Sequence, residues 1–79
     1  MKILESKSFR KPGNDCLIEV IVSLVEVFHV YLIFKHTRYI GGWCDDKIRS
    51  ERFEFAKKED AIAAYQLTVK ELSGYETLD

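Results

Sequence analysis

The sequence is poor in the residues that most often announce a function. Its 79 residues hold two cysteines, two histidines, one tryptophan, one methionine and one proline. Cys16 and Cys44 are too few and too irregularly spaced for a disulfide framework, so a reduced, cytoplasmic protein is expected. Zinc ligands usually come in close pairs on one turn, and no Cys-x-x-Cys or His-x-x-x-His pair occurs among Cys16, His29, His36 and Cys44. No metal and no cofactor are expected. Neither sign of charge dominates: 12 basic and 13 acidic residues leave a net charge of −1, so no global field draws the chain toward nucleic acid or anionic lipid.

A membrane-spanning run is missing too. The longest apolar stretch, Cys16 to Phe34, contains Glu19, Glu26 and His29. A carboxylate at a bilayer centre costs about 2.5–3.5 kcal/mol on insertion scales, which argues against spanning. No apolar segment with a small-residue cleavage site follows Lys2, so no signal peptide is read. Gly/Ser linkers, internal repeats and low-complexity tracts are absent, and the chain reads as a single domain over residues 1–79.

What the sequence does have is apolar and aromatic residues, 47% and 13% of the chain, arranged with strand-like alternation. Strands are expected over about 2–10, 16–25, 28–36, 39–44 and 48–56. Lys11-Pro12-Gly13-Asn14-Asp15 is a turn signal, because proline pre-sets one turn angle and glycine tolerates the next. The run from Cys16 to Phe34 reads two ways. Glu19, Ser23 and Glu26 fall at helical spacing, yet its many β-branched residues favour a pleated surface. Two strands with a change of direction near Val25 to Val27 are preferred. His36-Thr37-Arg38 and Asp45-Asp46-Lys47 read as corners, and Gly41-Gly42 as a bulge.

From Lys58 to Ser73 the period becomes helical: Ala61, Ile62, Tyr65, Val69 and Leu72 recur every three or four residues. Glu59 and Asp60 favour the first turn, Gly74 is expected to end the helix, and Lys57 supplies no side-chain cap. The fold class is therefore α+β: a meander-like antiparallel sheet of four to five strands packed on one C-terminal amphipathic helix, with Phe53 and Phe55 beneath it. Phe53-Glu54-Phe55 ahead of Ala61-Ile62 resembles the strand-to-helix step of several sheet-plus-helix families, which supports the fold alone.

Chemistry is hard to find. Cys44 sits beside Asp45 and Asp46, the wrong neighbours for a thiolate, and Gly41-Gly42 lacks the Lys-Ser/Thr of a phosphate loop. No enzyme is expected. One cluster is worth singling out: Arg38, Tyr39 and Trp43, with Lys47, Arg49 and Arg52 close behind. Tryptophan, tyrosine and arginine dominate protein-contact hot spots, and the same types build stacking platforms for single-stranded nucleic acid. Glu59, Asp60 and Glu71 on the helix form an alternative acidic surface. The expected activity is binding to another protein, as an inhibitor or adaptor in the size class of small phage proteins. Nucleic-acid binding around Arg38 to Arg52 is the alternative. An open sheet has two edges, so pairing with a second copy is expected alongside either.

Overall fold

The computed structural model describes residues 1–13, 16–41 and 48–78. The element order is β1 (Lys2–Pro12), β2 (Leu17–Val27), β3 (Val30–Ile40), β4 (Ile48–Phe55), α1 (Lys58–Glu71) and β5 (Glu76–Leu78). The strands form one antiparallel sheet in the order β4-β3-β2-β1-β5, a meander with the last strand added beside the first. Expected and observed fold class agree: an α+β chain with one C-terminal helix on an antiparallel sheet.

Alternation decides which side chains meet the helix. Directly opposed residues of antiparallel strands point to one face. Phe9 opposes Val20, which opposes Thr37; Leu24 opposes Ile33, which opposes Phe53. On this face Phe9, Val20, Val22, Leu24 and Ile33 are buried with Ala61 and Tyr65 of the helix and with its C-cap, Leu72. Leu4, Ile18, Tyr31, Phe55, Ile62 and Val69 close around them. The pairing of β1 with β2 slips between Ile3 and Glu5, and Leu4 within that slip joins the core. Phe55 lies under the helix as expected, while Phe53 on the edge strand remains 45% exposed.

Three local expectations are corrected. The change of direction after β2 falls at Phe28–His29, not at Val25 to Val27, and Val27 pairs with Val30 across it. Phe28 takes a positive φ of 55°, a conformation that glycine or asparagine usually supplies. His36-Thr37-Arg38 is no corner but the continuation of β3, fully paired with β2 on one side and β4 on the other. Tyr39 and Ile40 thus extend β3 and begin no new strand; Gly41, at φ 81°, follows it. The proposed strand through Cys44, the bulge at Gly42, Trp43 and the Asp45-Asp46-Lys47 turn lie outside the described residues.

The helix ends by tightening, not by a left-handed glycine. Leu72 donates to the Val69 carbonyl, Ser73 to Lys70 and Tyr75 to Leu72, all three-residue steps. Gly74 has no positive φ. Lys57 caps nothing through its side chain, and the helix opens on the Ala61 N–H to Lys57 carbonyl bond. This tight exit returns the chain to β1, where Glu76–Leu78 pairs with Ser8 to Arg10. That short strand was not expected from the sequence.

Candidate binding surface

The helix occupies one face of the sheet and no described element occupies the other. The open face carries Ser6, Ser8 and Arg10 from β1, with Leu17, Glu19, Ile21, Ser23 and Val25 from β2. Beside them stand Leu32, Phe34, His36, Arg38 and Ile40 from β3, and Ile48, Ser50, Arg52 and Glu54 from β4. The apolar even-numbered row of β3 therefore points away from the helix. Val25 is buried here by its neighbours alone, whereas Ile3, Ile21 and Ile48 are exposed.

Polar side chains tie this face together across the strands. Ser6 Oγ and Ser23 Oγ are 3.0 Å apart, and His36 Nδ1 lies 2.8 Å from Ser50 Oγ. Arg10 reaches Glu19 at 3.4 Å. Arg10 also stands opposite Glu76 of β5. The charges balance: Arg10, Arg38 and Arg52 share the face with Glu19, Glu54 and Glu76. The arrangement is mixed: Val25 with Leu32 at one end and Leu17 with Ile40 at the other are apolar, and serines, His36, Ile21 and Phe34 alternate between them. The row Arg10, Glu19, Arg38 crosses the central strands, with no net sign.

The structure divides the cluster singled out from the sequence. Arg38 and Arg52 stand on the open face, both exposed. Tyr39 and Arg49 share the helix side of the sheet with Ile18 and Thr37, outside the core cluster. A 14-residue helix is about 21 Å long against about 36 Å for an 11-residue strand, so part of its own face lies beyond it. Arg49 is held by Glu51 at 3.3 Å. Trp43 and Lys47 lie outside the described residues.

Glu59, Asp60 and Glu71 are all exposed on the helix, but they form no single patch. Asp60 and Glu71 are on one side yet about 16 Å apart along the axis, and Glu59 is turned about 120° from Glu71. Glu59 instead acts toward β3. Tyr31 has its pKa raised first by its own desolvation, then by Glu26, with Glu59 adding to the shift.

Beside the helix lies a cleft of about 310 Å³ lined by Leu4, Glu5, Leu24, Lys58, Ile62 and Gln66. Its floor is apolar and its rim carries one charge of each sign. No three His, Cys, Asp or Glu side chains converge on a point among the described residues. Signals for the open face were present in the sequence as Ile21, Phe34 and His36, but without register they could not be assigned to one side. Comparison of the chain with protein-family models, curated protein sequences and solved structures finds no match.

Proposed function

We propose that this chain is a non-catalytic binding protein that docks on another protein through the open face of its sheet. The observation that carries the reading is the lack of any described layer over a face rich in apolar side chains. An apolar sheet face is normally buried against another layer, whereas a face left to water is normally polar. Exposed Ile21 diagonal to half-buried Phe34, and exposed Ile3 in the row of Val25 and Leu32, supply apolar contact area, and Arg10, Arg38 and Arg52 supply one of the residue types enriched in contact hot spots.

A second reading has its own support, since Arg38 and Arg52 flank Phe34 and His36 on that same face. Such a surface suits a single-stranded nucleic acid, with bases stacked on rings and phosphates on guanidinium groups. The balancing Glu19, Glu54 and Glu76 disfavour it, because phosphate affinity depends on uncompensated positive charge.

The experiment is to capture partners with the tagged chain and rebuild the complex from purified components. Ile21→Asp and Arg38→Glu are each expected to weaken the rebuilt complex at least tenfold while circular dichroism stays unchanged. A complex indifferent to both would remove the open face from consideration. Oligonucleotide binding that falls steeply with salt, and fails in Arg38→Ala and Arg52→Ala, would replace the protein partner with a nucleic acid.

A further inference from the structure

The edge of the sheet carries an inference independent of what the open face binds. We propose that two copies of the chain pair antiparallel along β4, in a register centred on Phe53, to make one continuous sheet of ten strands. β4 is the terminal strand of the order, and among the described residues only β3 pairs with it. Its pairing from Ile48 to Phe55 runs without interruption. The opposite side of the sheet differs: β5 covers Ser8 to Arg10, and the slip at Ile3/Glu5 breaks the rest. Among the described residues β4 has no bulge and no covering strand; its remaining protection is charge, and because Arg49, Glu51, Arg52 and Glu54 carry both signs a second copy can match them.

Symmetry restricts the register. Antiparallel pairing of identical edges needs a two-fold axis perpendicular to the sheet, which keeps both helices on one side. Opposed residues must share a face, so the axis passes through a residue and not between two. An axis at Glu51 or Arg52 would set a charge against its own copy. An axis at Phe53 sets ring against ring, places Arg52 opposite the partner's Glu54, and places Glu54 opposite the partner's Arg52.

The charges on β4 are arranged for this. Within the chain Arg52 opposes Phe34 and Glu54 opposes Leu32, so neither has an ionic neighbour across β3. Neither forms an ion pair among the described residues. On the other face Glu51 opposes Lys35 and holds Arg49. An axis at Ser50 would also join Arg49 to Glu51 of the partner subunit, but those two groups are already matched within their own strand. Among the registers that set no β4 charge against its own copy, only the Phe53-centred one opposes Phe53, 45% exposed on an edge, to another ring of β4.

Sedimentation equilibrium under reducing conditions, from micromolar to millimolar protein, tests the pairing. The wild-type chain is expected to dimerise. Arg52→Glu and Glu54→Arg should each weaken dimerisation on the order of ten- to hundredfold, since two attractive cross-strand pairs become repulsive. The double variant should recover it. The most specific result comes from mixing the two single variants: one carries two acidic side chains here and the other two basic ones. Each should remain monomeric alone, and together they should form a heterodimer. A wild-type monomer throughout the range, a dimer indifferent to the single reversals, or a mixture that stays monomeric would each overturn the proposal. Both side chains are exposed, so circular dichroism separates lost pairing from lost folding.

Discussion

Burial of the Tyr65 hydroxyl makes it harder to ionise, and the nearby charge of Glu5 acts on it in the same direction. Burial is the larger cause of the raised Tyr65 pKa, and Glu5 adds to it. The hydroxyl itself is buried without a hydrogen-bond partner, the one such side-chain atom among the described residues. A ring is thus well placed in the core while its polar tip is not.

Replacing Tyr65 by phenylalanine is therefore expected to stabilise the protein by about 1 kcal/mol, because an unsatisfied buried hydroxyl costs about 1–3 kcal/mol. The sign of the pH dependence follows from the raised pKa. Below the ordinary tyrosine value of about 10, both folded and unfolded chains keep the proton and nothing is lost. As pH rises through that value the unfolded chain ionises first, so stability falls toward the folded pKa. Tyr31, raised in the same direction, acts with it. Urea unfolding at neutral and strongly alkaline pH should show a shallower alkaline loss in Tyr65→Phe. A variant less stable at neutral pH would mean that the hydroxyl has a partner in solution.

Phe28 is 91% exposed and holds a left-handed backbone angle. That conformation costs an L-residue with a bulky side chain about 1–2 kcal/mol, and little packing offsets it here. Phe28→Gly should raise the midpoint of denaturant unfolding by an amount equivalent to about 1 kcal/mol. A lowered midpoint would show that the ring packs on the hairpin after all.

The two faces of β2 and β3 should respond unequally to truncation. Ile33 is 1% exposed beneath the helix, and Ile33→Ala is expected to cost about 2–5 kcal/mol through lost burial and a residual cavity. Ile21→Ala on the open face should cost under about 1 kcal/mol in the free chain. Equal losses would mean that the open face is covered in solution.

Much of this architecture is legible in the residues. The helix is visible because Ala61, Tyr65 and Leu72 keep one face, and all three prove buried. The β-branched density between Ile18 and Ile33 outweighs the helical spacing of Glu19, Ser23 and Glu26, and two strands result. The turn between them is not legible because Phe28, which takes the positive φ, is a bulky residue that ordinarily avoids it. β5 is invisible for another reason: three residues are too few to show alternation, and its formation depends on where the helix exit delivers the chain. The binding cluster failed on parity. Arg38 and Tyr39 are neighbours along the chain, so on a strand they point to opposite faces. Only the pairing partners, Glu19 for one and Ile18 for the other, say which face is which.

The pairing of Ser8 with Leu78 joins residues seventy positions apart, whereas β2–β3 closes over a two-residue turn. Local hairpins form with little loop-closure entropy, and distant pairings wait for it. Synthesis and folding are therefore offset: four strands can zip together while the chain is being made, with β1 temporarily an outer strand. Only when the helix has been completed and docked can β5 arrive and turn β1 into an interior one. Until then the nascent sheet has two bare sides instead of one and a half, and its exposure to other chains is greatest.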